Sequence, residues 1–219
     1  MNNPVPLTDP LALPDTPLAR VALAYVESVS PPAIVHHCLR GYLFARALGA
    51  HQGLRPNVDY DDELLFLASA LHDLGLTTAG ERDQRFEVDG ADLAVEVLTA
   101  AGLAADRAEI LWDAIALHTS ARIAARKRPE IALTHHGMEV DLLGRNSDHI
   151  PAELGRAIHR AHPRLDIGRV VTDTMTAQVR REPAKAVLFS PAWVLSGAHL
   201  DLGPLPADDQ LLAACGWTE

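Results

Sequence analysis

A histidine and an aspartate stand side by side in ALHDLGLT, residues 70–77, within a run of apolar, helix-forming residues. Apolar helices rarely bury a carboxylate without a partner. An imidazole nitrogen beside a carboxylate oxygen is half of a site for a divalent cation, so the pair raises the question of what completes it. Leu65, Ala68 and Ser69 precede His72 at helical spacing and mark an inward face. His72 then points inward, with Asp73 about 100° round the same turn. Two other segments offer partners. Over residues 31–50, His37 shares a face with Ile34, Gly41, Phe44 and Leu48, and His36 lies one step toward the edge. Near the end of residues 129–143, Asp141 follows Thr134, Gly137 and Met138. A carboxylate on a face of small residues is a poor core filler and a good ligand. His37, His72, Asp73 and Asp141 together give two imidazoles and two carboxylates from three helices. Such a set leaves one or two coordination positions for water and substrate, as catalytic sites do. The bare His-Asp pair could equally serve a helix C-terminus through its dipole, and on the residues alone both readings stand.

The elements that must carry these residues are helices. Apolar spacing is helical nearly throughout, and period-two alternation is scarce. Helices are expected over about 18–29, from Pro31 to Ala50 with Ser30 as cap, from Asp61 or Asp62 to a stop at Gly75, from a cap at Asp89 to Ala101, and over 105–118 and 129–143. Further helices are expected at about 151–161, 167–181, 184–196 and 207–215. Gly41 leaves room for a close helix crossing. Residues 1–17, with Pro4, Pro6, Pro10, Pro14 and Pro17, read as an extended arm. The expectation is an all-α domain: the arm over 1–17, a core over 18–145, and additional helices over 146–219 packed on the same domain.

Composition narrows the function. The 219 residues are 48% hydrophobic but only 5% aromatic, so the core is built of Leu, Ala, Val and Ile. A net charge of −10 excludes a general nucleic-acid surface and adsorption to an anionic membrane. The two cysteines, Cys38 and Cys215, make no disulfide framework, and a cytoplasmic setting fits. No secretory signal is read at the N-terminus and no run is long enough to span a membrane.

The combination His37, His72-Asp73 and Asp141 on a nearly all-helical chain resembles the HD superfamily of metal-dependent hydrolases, which implies a single orthogonal helical bundle. HHCLR (36–40) is similar to the Asn-His-Ser-x-Arg segment of cyanamide hydratase-like HD proteins, with His36 in place of asparagine. ALHDLGLT, RFEVDGADLAVEVL (85–98) and ALHTSARIAARKRPEIAL (116–133) resemble further blocks of that subgroup, and the likeness extends over about residues 20–145. The resemblance implies that His37, His72, Asp73 and Asp141 are the ligands of one divalent ion, zinc first, with iron, manganese or nickel as alternatives. It implies that Arg40 holds a ligand carboxylate, that His36 stands behind the ligands, and that Thr77, Arg85 and Phe86 meet substrate. His118 follows Leu111, Ala114 and Ile115 on an inward face and would move a proton or bind a second metal. Glu87 is a second acid/base candidate beside Asp73, and Asp89 is expected to be a plain N-cap. Neither His135 nor His136 shares a helical face with Asp141.

The expected chemistry is attack of activated water on a small nitrile-, cyanamide- or amide-like carbon. Three alternatives are carried. A nucleotide or phosphate-ester phosphohydrolase is weakened because no cation follows the His-Asp pair and the chain has only two lysines, Lys127 and Lys185, although Arg82, Arg85, Arg122 and Arg126 remain. A di-iron oxygenase would use extra histidines. A sensing module would bind metal without turnover. The partner expected is a small-molecule substrate, with a homo-oligomer left open.

Overall fold

A computed structural model describes residues 9–187 and 190–197. Among these residues the helices are α1 (Pro17–Val29), α2 (Pro32–His51), α3 (Asp62–Leu71), α4 (Phe86–Ala100), α5 (Ala105–Ala116), α6 (Pro129–Leu143), α7 (Ala152–Ala161), α8 (Ile167–Arg181) and α9 (Pro191–Gly197), with no β-strand. The fold is all-α. The expected helix at 207–215, together with Cys215 and residues 1–8 of the arm, lies outside the described residues.

Local sequence explains the helix ends. Thr16 accepts a hydrogen bond from the Ala19 N–H at 3.1 Å, and Pro17 occupies the first position of α1. Asp61 caps α3 by accepting from the Leu64 N–H at 2.9 Å. Pro129 opens α6, and Gly144 closes it at φ 68°, a left-handed conformation suited to glycine. The described part of the arm lies against α2, where Arg46 donates to the Ala12 carbonyl at 2.9 Å.

Several expected ends move. The helix expected over 184–196 starts only at Pro191, after a 3-10 turn over Pro183–Lys185, and α5 ends at Ala116 rather than His118. Ser30 does not cap α2; Pro31 takes that position in extended backbone, and the Ser30 hydroxyl has no hydrogen-bond partner. α3 stops at Leu71 rather than Gly75, and a tight 3-10 turn follows over Leu74–Leu76. Gly75 serves packing instead: a Cβ there would lie 1.9 Å from the Phe86 carbonyl oxygen. α4 begins at Phe86, so Asp89 lies inside its first turn. The Asp89 carboxylate accepts from the N–H groups of Arg82 and Gln84 and from the Lys185 ammonium at 2.5 Å, so it ties the preceding loop rather than capping the helix.

α2 is the central element, buried on nearly every side. It crosses α6 closely, because a Cβ on Gly137 would lie 2.1 Å from the Gly41 carbonyl oxygen. This crossing brings the turn carrying His37 next to the last turns of α6. α3 is buried from Leu64 to Leu71 and delivers its C-terminal end to the same region. The main core is leucine and alanine with Tyr42, Phe44 and Phe66 among its few aromatics. A second apolar cluster joins Ile34, Cys38, Leu76 and Phe86 to Ile167, Val171 and Met175, and so seats α8 over the segments that converge here.

Candidate metal centre

The break after Leu71 shapes the site. In an unbroken helix the side chains of His72 and Asp73 would diverge by about 100°. His72 instead caps α3 and Asp73 leaves helical geometry at φ −100°, ψ 13°. Both side chains then reach one point, with His72 Nε2 3.2 Å from Asp73 Oδ2. His37 arrives from α2, its Nε2 3.2 Å from His72 Nε2 and 3.7 Å from Asp73 Oδ2. These three groups are buried and offer ligand atoms within 4.8 Å of one another.

The hydrogen bonds around them fix which atoms face inward. His72 Nδ1–H donates to the Ser69 carbonyl at 2.8 Å, and His37 Nδ1 lies 2.6 Å from Asp141 Oδ2. With each Nδ1 carrying its proton toward an acceptor, the two Nε2 lone pairs and the Asp73 carboxylate face one another. Acceptors at this separation need a proton or a cation between them. Burial opposes an imidazolium at His72, but the Asp73 carboxylate outweighs it and holds the pKa well above the ordinary value. Burial also opposes the Asp73 anion, yet His72, His37 and His118 hold its pKa well below the usual carboxylate range. This donor set, two imidazole nitrogens and a carboxylate, fits a divalent transition ion.

Asp141 stands elsewhere than among the converging atoms. It lies behind His37, held by two bonds from Arg40 at 2.6 and 2.7 Å. Despite burial, its contacts with His37 and Arg40 keep its pKa well below normal. A carboxylate on the far nitrogen of a ligating histidine fixes the tautomer and orientation of the ring. Arg40, fully buried, also donates to the carbonyls of His162 and Pro163 at 2.9 and 3.0 Å, joining α2, α6 and the loop before α8.

The other expected site residues divide. His118, just past α5, donates from Nδ1 to the Ile115 carbonyl at 2.7 Å and turns Nε2 to within 3.9 Å of Asp73 Oδ1. Burial and the neighbouring His72 push its pKa down to about 4. Phe86 sets its ring edge-on to His118 with centroids 5.6 Å apart. Glu87 is buried outside the cavity, bound by Arg85 at 2.7 Å and by the Thr119 hydroxyl, so it positions the loop after His118 and not the reacting atoms. Arg85 is committed to Glu87 and does not line the cavity. Thr77 likewise turns away: its hydroxyl donates to the Leu74 carbonyl at 2.7 Å and accepts from the Gly80 N–H. His36 faces the Pro163 carbonyl at 3.0 Å, away from the converging ligands.

A cavity of about 410 Å³ opens from His37, His72, Asp73 and His118, and Thr119, His135 and Glu139 also line it. His135, His136 and Glu139 form a second converging group, with His135 Nε2 3.3 Å from the Glu139 carboxylate. The mismatch of both histidines with Asp141 holds, but their partner is Glu139 on the following turn of α6. The i,i+3 and i,i+4 spacings to Glu139 were the available signal. Cys38 had no sequence signal; its thiol, held protonated by burial, lies 3.6 Å from His72 Nδ1.

Comparison with protein families gives a match of the HD-domain model to residues 34–155, more than half of the chain. No curated protein matches the chain.

Proposed function

The chain belongs to the HD-domain family, whose members are generally metal-dependent hydrolases, and from that premise we propose that it adds water to a small carbon electrophile of nitrile, cyanamide or amide type. The observation that carries this reading is the character of the cavity. Three acceptor groups meet at its inner end, and Arg145, the one Lys or Arg side chain among its described lining residues, is held by Glu139 at 2.6 Å. A phosphate ester would bring negative charge that only the ion would meet, with no uncommitted Lys or Arg among the described lining residues to share it. Arg82 is paired with Glu96, Arg85 with Glu87, and Arg122 and Arg126 lie exposed away from the lining.

His37 and His72 would hold the ion through Nε2 and Asp73 through its carboxylate, with zinc our first choice of metal and Asp141 acting through His37. The bound ion supplies Lewis acidity and lowers the pKa of water. Asp73 orients the water that adds to the electrophilic carbon. His118 is neutral at physiological pH, and its Nε2 is free to take the proton from that water and return it to the substrate nitrogen. Phe86, His118, Thr119 and Ala121, from the two segments that carry the resemblance, line the cavity, which supports the cyanamide hydratase-like reading.

The test is metal analysis of protein purified without added metal, followed by assay against short nitriles and amides and against generic phosphate esters. One equivalent of zinc, absent from His72→Ala and kept in His118→Ala, with turnover of the carbon substrates, is expected. Phosphate-ester turnover overturns the substrate class. A two-ion reading is favoured by one observation, the second convergence at His135, His136 and Glu139. Two equivalents of metal, one lost in Glu139→Gln, would establish it in place of the mononuclear site.

A further inference from the structure

Besides the metal-ligand residues and His118, the polar groups lining the cavity are Thr119, His135, Glu139 and Arg145, and Arg145 is taken by Glu139. Apolar side chains make up the rest of the wall, among them Phe86, Met138, Leu142, Val171, Met175 and Pro191. Val171 and Met175 come from α8 and Pro191 from α9, and both helices lie outside the family-matched residues 34–155. α8 is not a loose cover. Gln178 donates to the Gly75 carbonyl at 2.8 Å, two residues after the His-Asp pair. Lys185, buried, bonds Asp89 at 2.5 Å and the Gln84 carbonyl at 2.7 Å, just before Phe86. These bonds fix the apolar wall to the two segments that carry His72, Asp73 and Phe86. The cavity lies in the range of pockets that bury a small ligand's whole body, so most of its volume must be filled by something other than the reacting group.

We propose that α8 and α9 form an apolar recognition subsite, and that the substrate carries an uncharged hydrocarbon body beside its reactive polar carbon. Charged or sugar-like bodies would leave polar groups unpaired against this wall, a costly arrangement. The inference rests on the metal-centred reading above, because the ion places the polar end of the substrate.

Straight-chain alkyl hydroxamic acids from two to eight carbons, titrated calorimetrically into the full-length zinc-loaded protein, test it. The hydroxamate binds the ion and the chain probes the wall. Affinity is expected to rise about three- to fourfold per methylene until the cavity is full. Met175→Glu should abolish that rise at unchanged zinc content. Because Met175 also packs in the apolar cluster, Val194→Asp provides a second variant: Val194 lines the cavity yet is 58% exposed, so its charge should weaken the longest chains without unfolding the protein. Equal affinity along the series overturns the subsite and leaves the metal reading intact. Failure of even acetohydroxamic acid to bind overturns both.

Discussion

At the scale of single residues, Asp141 shows how much of the site is built behind the ligands. Its carboxylate holds His37 by Nδ1 and is itself held twice by Arg40. Asp141→Asn should therefore weaken zinc binding by about 10–100-fold, read by competition with a chelator, whereas His72→Ala should retain no zinc. The same carboxylate sets an acid dependence. Its folded-state pKa lies below the unfolded value of about 3.9, so the native state binds fewer protons there than the unfolded chain. The stability it contributes is complete above that unfolded value and is lost as pH falls through the folded one. Metal-free wild type should thus lose more urea stability between pH 5 and 3 than Asp141→Asn does. His118, with its pKa near 4, is neutral across pH 5–8; His118→Ala should lower kcat by about 10²–10⁴-fold at unchanged zinc content. His37 was legible because periodicity along α2 decides which way its side chain points, and the inward faces of α3 and α5 pointed to His72 and His118 just past their ends. The duties of Glu87, Arg85, Thr77 and Asp89 were not, because they depend on how the loop over residues 77–85 folds back, and no periodicity reports that.

At the scale of elements, the crossing of α2 and α6 decides whether the site exists. Gly41 and Gly137 let the helices approach until backbone meets backbone. Gly137→Ala would place a methyl group 2.1 Å from the Gly41 carbonyl oxygen, with no flexible side chain to move aside. The expected cost is about 2–3 kcal/mol, seen as a fall in the denaturation midpoint. The crossing would also open between His37 and Asp141, so zinc affinity should drop in the same variant. Gly41 could be read in the sequence as an allowance for close packing, but its partner could not, since pairing between helices 96 positions apart leaves no local trace. The end of α3 was misplaced for a related reason. Glycine is a common stop signal, yet here the helix breaks earlier, and Gly75 is required by its contact with the Phe86 carbonyl in the next element.

At the scale of the whole molecule, the all-α fold was legible from composition and spacing, since low aromatic content and leucine-alanine faces suit packed helices. The attachment of the C-terminal helices was not, because it runs through isolated polar bonds. Lys185 is one of only two lysines in the chain and is buried against Asp89. Lys185→Met should release the segment after α8 from the start of α4 and cost about 3–5 kcal/mol, with faster hydrogen exchange over residues 167–187 as the direct readout. No described helix is long and apolar enough to cross a membrane. α8 and α9 supply Val171, Met175 and Pro191 to the cavity wall. The break in α3 after Leu71 carries a further consequence, for how this chain can change length. His72 and Asp73 hang from the last turn of a buried helix, so one residue inserted within Asp62–Leu71 would rotate both ligands away together by about 100°. The loop before α7, whose residues 144–149 are exposed, is anchored to no ligand and can absorb insertions without disturbing them. Length variation among descendants of this sequence should accordingly gather between α6 and α7 and be missing from α3.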